Sequence, residues 1–422
     1  MRRFAAATVA LGVIAGFAAH PVAAATHRTR ATAVSSLRKT LASALNSVGG
    51  ATGAYVLDLS TGQALFSSAP DTGRLPASVE KLYTTSTALL RFGPAATLST
   101  SVLGTGTLDS RGTWSGTLYL RGGGDPTFGS ASFDDSAYGT GATVQRLVAT
   151  LIHGSGIRAV RGRIVGDESY FDSLRGTPPS GYQFSPWVEG ALSALVFNRG
   201  LINQSADYVT HPAVYAAQQL ASALRSAGTH VPSSTPVSAG VTPAGSTRLA
   251  TVSSPTIATL AELTNTPSDN FLAEMLLKGL GARFGGRGST AAGASIVRSE
   301  LASSFGIAPR LDDGSGLSRD DSTSPRQVVT LLAQLAIVPA FVSSLAVAGR
   351  TGTLQHAMQG TRAQDHCQGK TGTLHDVASL VGYCEARDKH RLAFAFLMNS
   401  VDPNVGHATE DQMAVALASY NG

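Results

Sequence analysis

Charge and lysine are both scarce in this chain. Of 422 residues, 14% are Asp, Glu, Lys or Arg, and the formal net charge is +5. So mild an excess, carried by scattered arginines, excludes a nucleic-acid binder, which needs a clustered basic face. Five lysines occur, at positions 39, 81, 278, 370 and 389, and the rest of the 32 basic residues are arginine. Where positive charge alone is needed the chain uses Arg, so a retained Lys hints at work for a compact amine whose pKa can be lowered. Cysteine is scarcer still, with only Cys367 and Cys384. Two Cys without nearby spaced His are too few ligands for zinc, and no metal or cofactor is implied. Beyond the N-terminus no apolar run is long enough to span a bilayer, and no repeat of roughly 20 to 50 residues signals a solenoid or propeller.

The N-terminus itself is different. Arg2 and Arg3 precede FAAATVALGVIAGFAA and an Ala-x-Ala ending, the layout of a secretory signal peptide cut after Ala25. An uncleaved anchor is the alternative, but the apolar run is shorter than the roughly 20 residues a span needs. The mature chain is then exported, periplasmic or extracellular, where disulfides persist. Cys367 and Cys384 flank two strand-like runs and fall opposite each other in a hairpin turning at His375 and Asp376. A cross-strand disulfide and a pair of free buried thiols both fit that placement.

With 43% hydrophobic residues and 46 glycines, the chain reads as globular and loop-rich, and its length asks for more than one compact unit. Apolar spacing predicts helices in AVSSLRKTLASALNSV and ASVEKLYTTSTALLRFG, with two strands in AYVLDLSTGQALFSS between them. From about 97 to 250 the texture changes to short β-like runs separated by Gly, Ser and Pro, interrupted by helices near 142–153 and 212–226. Helical periodicity returns beyond 254. Strands follow in DHCQGKTGT, VASLVGYCEA and RLAFAFLMNS, then a last helix around TEDQMAVALASY. The expected division is 1–25 signal peptide, 26–96 and 251–422 as two parts of one mixed α/β domain, and 97–250 as an inserted β-rich domain.

Three short patterns carry chemistry. Lys81 lies three residues after Ser78 at the start of an apolar helix, which puts amine and hydroxyl on one face within hydrogen-bond reach. A desolvated, neutral lysine there can take the serine proton, and the helix N-terminus favours the resulting alkoxide. The spacing alone is weak: Ser36-Leu-Arg-Lys39 repeats it on an Arg-bearing amphipathic helix, where a solvated face is the reading. Ser268-Asp-Asn270 precedes another helix and, taken alone, reads as a cap. Ser419-Tyr-Asn421 has the same spacing but lies at the extreme C-terminus. Lys370-Thr371-Gly372-Thr373 opens a strand, where alternation and a small Gly372 let a substrate backbone approach the edge. The near copy Arg350-Thr-Gly-Thr lacks that strand context and is assigned to a turn.

Ser-x-x-Lys, Ser-x-Asn and Lys-Thr-Gly in that order define the serine acyl-transferase site of penicillin-binding proteins and serine β-lactamases. The phrases LYLRGGGDPTF, GDESYFDS, LSALVFNRG, SDNFLAEMLLKGLG, DGSGLSR and GTLQHAM then GKTGTL narrow the likeness. The chain resembles the D-alanyl-D-alanine carboxypeptidase/endopeptidase family of low-molecular-mass penicillin-binding proteins from about residue 36 onward. That resemblance implies an antiparallel sheet flanked by helices plus an all-helical lobe. It implies Ser78 as nucleophile, Lys81 as base and Ser268 as proton relay. Asn270 would hold the substrate backbone, Lys370 and Thr371 would receive its terminal carboxylate, and the N–H groups of Ser78 and Thr373 would form the oxyanion hole. Peptidoglycan stem peptides are then the substrate and β-lactams covalent inhibitors. A serine β-lactamase is the rival, yet no Glu-x-x-Leu-Asn loop to activate water stands between Asn270 and Lys370. An inactive wall-binding protein of the same fold would need neither Lys81 nor Ser268. RGGGDPTF lacks the Lys of a phosphate loop and is read as a turn. Asp312 and Asp313 fit either a cleft wall or a turn; His375 and Asp376 fit turn chemistry better than a triad.

Overall fold

A computed structural model describes residues 21–202 and 207–422, with side chains from residue 30 onward. The expected signal peptide, residues 1–25, lies outside the described residues but for the backbone of Pro21–Ala25, which opens the first helix, Pro21–Val48.

Strand alternation builds the central layer. Six strands pair antiparallel throughout, in the order Ala346–Val347, Cys367–Leu374, Val377–Glu385, Arg391–Asn399, Ala51–Asp58 and Ala64–Ser68. In the hairpin that follows Lys370, Cys367 pairs with Cys384 and Leu374 with Val377. The two cysteines are bonded to each other as a disulfide, which decides between the two alternatives.

Both faces of this sheet are covered, so its central strands are apolar on both sides. Along Arg391–Asn399, Phe394 and Phe396 join the core made with the first helix and the last, Pro403–Ser419. Ala393 and Ala395 join the core of the helical lobe on the opposite face. That lobe comprises Lys81–Phe92, Ile257–Asn265, Asn270–Phe284, Thr290–Glu300 and Pro325–Leu335. The last helix begins at Pro403, earlier than the expected start near Thr409, because Asp402 caps it by accepting from Asn404 N and Pro403 fits its first turn.

Residues between the two halves form a second sheet, ordered Val237–Ala239, Ala159–Asp167, Thr113–Gly122, Thr97–Leu108 and Thr247–Thr256. Its strands are mixed, parallel where Ala159–Asp167 meets its neighbours and antiparallel elsewhere. Helices Val144–Ser155 and Pro212–Ser226 pack on it around a core of its own. The closing strand runs on to Thr256, across the boundary expected at 250.

A smaller core joins this unit to the lobe: Phe171, Val188, Leu192 and Val196 pack against Phe271, Leu272 and Met275. Arg199 reinforces the joint, pairing with Asp269 and lying 5.3 Å from the Phe271 ring centroid. Phe271 is fully buried there. Phe271→Ala should lower stability by about 3–5 kcal/mol, read as a lower denaturant midpoint at unchanged m-value; a shift within about 0.5 kcal/mol would contradict this packing.

Candidate active site

Ser78 sits on a single 3-10 turn, Ala77–Glu80, and Lys81 is the first residue of the helix that continues it. Ala77 holds a positive φ of 49°, a conformation unfavourable for a residue with a side chain. The turn is held in place by its neighbours. A Cβ at Gly316 would lie 1.9 Å from Ala77 O, and one at Gly372 would lie 2.5 Å from Pro76 O. Gly372 was expected to admit substrate backbone; the close approach its smallness permits here is that of the Ser78 turn at Pro76 O.

Lys81 is completely buried. Its Nζ lies 2.8 Å from Ser78 Oγ, 2.6 Å from Asn270 Oδ1 and 2.7 Å from Ser315 O. Asn270 Oδ1 and Ser315 O accept only, so in the free amine they take its two N–H bonds and the lone pair is left facing the serine. Burial lowers the Lys81 pKa to about 8, although Asp313, Asp269, Glu274 and Glu189 pull the other way. Several of these acids are themselves disfavoured as anions. Burial pushes Glu274 up to about 8 and Asp321 up to about 10, and raises Glu80 and Asp313. Asp313 serves the local turn, accepting from the N–H groups of Ser315, Gly316 and Ser318, and thereby aims Ser315 O at the lysine.

The Ser268-Asp-Asn segment both caps a helix and reaches the site. Asp269 accepts from Leu272 N at 2.8 Å, while Asn270, the next residue, turns its Oδ1 to Lys81. Its Nδ2 donates to Trp187 O at 2.8 Å, which fixes the orientation of the amide. Ser268 has a positive φ of 70° and its hydroxyl has no hydrogen-bond partner among the described residues.

On the lysine strand the structure separates the expected ligands. Lys370 is fully buried, with Nζ donating to Thr371 O at 2.8 Å. Burial, then the nearby Lys81, lowers its pKa well below the ordinary value. A cleft of about 700 Å³ is lined by Ser78, Asn270, Leu317, Thr373 and the strap of residues 177–187, which includes Trp187. Thr371 faces a neighbouring cavity instead, donating to Thr353 Oγ1 at 2.8 Å. Thr353 belongs to the arginine copy of the phrase. Arg350 itself pairs outward with Asp365 at 2.6 and 2.8 Å. Asp376 accepts both Arg319 N–H groups at the hairpin turn, and His375 is largely exposed. Lys278 is a structural lysine, 2.6 Å from Asp172. Sequence reasoning did not find Ser315, Trp187 or Thr353, which act through backbone carbonyls or long-range placement. Among the described residues no group of acidic, His or Cys side chains is arranged to hold a metal ion.

A helical lobe and an antiparallel sheet meeting at a half-buried serine with a buried lysine three residues on are the architecture of the active-serine penicillin-binding enzymes. The family model for D-Ala-D-Ala carboxypeptidase 3 (S13) matches residues 34–192 and 187–420, and the chain belongs to this family. It is 29% identical over 460 residues to a D-alanyl-D-alanine carboxypeptidase of Actinomadura sp., covering 89% of this chain and 82% of that one. It is 30% identical to a carboxypeptidase of Mycobacterium tuberculosis, covering 86% and 79%. In fold it is similar to penicillin binding protein 4 of Haemophilus influenzae, with a TM-score of 0.72, 19% identity, and 91% and 98% of the two chains covered. The protein is a serine-type D-Ala-D-Ala carboxypeptidase.

Asn270→Asp tests the electrostatics of Lys81. A carboxylate in place of the amide favours the ammonium form, so the pH midpoint of acylation by a labelled penicillin should move upward. The rate at pH 7 should fall roughly tenfold for every pH unit by which that midpoint rises. An unmoved midpoint would count against Lys81 as the titrating base.

Proposed function

We propose that Ser78 attacks the carbonyl between the two terminal D-alanines of a peptidoglycan stem peptide, with Lys81 as general base. The observation that carries this reading is the buried amine placed between the serine hydroxyl and two fixed acceptors. The serine proton passes to Lys81 Nζ as Oγ bonds to the carbonyl carbon, and the N–H groups of Ser78 and Thr373 stabilise the oxyanion. Ser268 relays a proton, giving its own to the departing amine and regaining one from the Lys81 ammonium; D-alanine leaves, and water releases the shortened peptide from the ester. Asn270 holds the substrate backbone with its remaining amide hydrogen.

Thr371 and Thr373 receive the terminal carboxylate where their cavity meets the main cleft at Thr373, with Lys370 buried on the same strand; an anion bound there restores the charge that burial discourages on Lys370. β-Lactams acylate the same serine. A complex of the Haemophilus influenzae protein with a β-lactam is consistent with that, and the absence of a Glu-x-x-Leu-Asn motif between Asn270 and Lys370 favours slow release over drug turnover. Residues 97–250 act as an inserted domain that walls one side of the cleft, as their own sheet and core support. Endopeptidase action on crosslinks is included in the reading; a similar fold is a peptidoglycan endopeptidase of Bdellovibrio bacteriovorus, at a TM-score of 0.50, 16% identity, and 83% and 86% coverage. An exported, wall-associated protein is the setting this substrate requires. No helix among the described residues is long and apolar enough to cross a membrane.

Ser78→Ala should abolish both D-alanine release from a pentapeptide and persistent labelling by penicillin; full activity in that variant would assign the nucleophile elsewhere. With a Lys81 pKa of about 8, the acylation rate should rise as pH increases through that value, because the free amine is the reactive form. A rate that falls over the same interval would exclude the lysine as base. Defined monomeric and crosslinked muropeptides would measure the balance of the two peptidase activities.

A further inference from the structure

Thr373 makes a hydrogen bond that the reaction above does not use. Its Oγ1 lies 2.8 Å from Nε2 of His407, and Nδ1 of the same ring lies 2.8 Å from Glu410 Oε2. Both residues belong to the last helix, Pro403–Ser419, behind the lysine strand. Glu410 is 1% exposed, and its Oε1 has no partner among the described residues. A cavity of about 280 Å³, lined by Thr353, Thr371, Thr373, His407 and Glu410 among others, adjoins the main cleft at Thr373.

We propose that His407, anchored by Glu410, is a positioning residue for the substrate's terminal carboxylate and sets the direction in which the Thr373 hydroxyl donates. This rests on the reading in which the lysine strand receives that carboxylate. A carboxylate only accepts hydrogen bonds, so a useful hydroxyl must turn its single proton toward it. With Nδ1–H given to Glu410, Nε2 of the neutral ring takes the Thr373 proton, and the hydroxyl presents lone pairs to the anion. When the ring gains a proton from solvent, Nε2–H donates to Oγ1 and the Thr373 proton is free to meet the carboxylate. Anion binding and protonation of the ring therefore favour each other.

The charged groups facing the imidazole are Glu410 and Asp411, both on its own helix. Thr371 and Thr373 of the lysine strand, Leu380 beside it, and Thr353, Leu354 and Ala357 bring hydroxyls and aliphatic groups to the cavity. Burial opposes the imidazolium, and Glu410 followed by Asp411 outweighs it, leaving the His407 pKa above its ordinary value, while burial pushes Glu410 itself up to about 7.

The test compares two substrates that differ only at the end, an acyl-D-Ala-D-Ala acid and its terminal carboxamide, with rates normalised to penicillin-labelled sites. In the wild type the acid-to-amide ratio of kcat/KM should fall as pH rises through the ring's titration. At a pH below the ring's titration, where the wild-type imidazole is protonated, His407→Ala and Glu410→Gln should lower that ratio roughly tenfold, the loss residing in KM for the acid. His407→Gln, whose amide can donate to Thr373 Oγ1, should recover much of the ratio and remove its pH dependence. An unchanged ratio in His407→Ala, or equal losses for both substrates, overturns the proposal and leaves the carboxypeptidase reading intact. D-Alanine release by Ser78→Ala would overturn that reading instead.

Discussion

The arrangement depends on one amine kept out of water. Lys81 is fully enclosed, and enclosing an ammonium is unfavourable unless its hydrogens are met by oriented acceptors. Two acceptors and one serine meet it, and each comes from a different part of the chain. Ser78 comes from the turn before the helix, Asn270 from the start of the helix Asn270–Phe284, and Ser315 from a glycine-rich loop shaped by Asp313. Three distant parts of the chain thus place three oxygen atoms around one nitrogen.

Asn270 shows how the second sheet contributes to the first. The amide is held on one side by Trp187 O, and the residue before it is clamped by Arg199. Both partners lie in the stretch of chain between Lys81 and Ser268. That stretch therefore helps set the orientation of a group that touches Lys81, beyond lining the cleft.

Much of this was legible in the sequence because local patterns and global fold agree. The alternating runs became the strands of the main sheet, Cys367 and Cys384 fell opposite each other, and Ser78, Lys81 and Asn270 came together. What was not legible is long-range or carried by the backbone. Lys370 looked like a cleft residue, but whether a strand side chain reaches solvent depends on neighbours that spacing does not describe. Gly372 is a point of close approach, as its smallness implies, yet the approaching chain is Pro76. The arginine copy reads as a turn, and Arg350 indeed points outward, while Thr353 three residues on supports Thr371, a contact no local pattern announces. His407 and Glu410 gave no signal because the expected last helix began too late to place them on one face.

The alternation along Arg391–Asn399 has a further effect on how finely Ser78 is placed. Phe394 and Phe396 lie on one side of this strand, Ala393 and Ala395 on the other. Sliding the pairing by a single residue would force phenylalanines into slots shaped for alanine. The strand is in effect a key cut differently on its two edges, seating in one alignment only, and through the adjoining hairpin that alignment dictates where the threonine edge stands relative to the Ser78 turn.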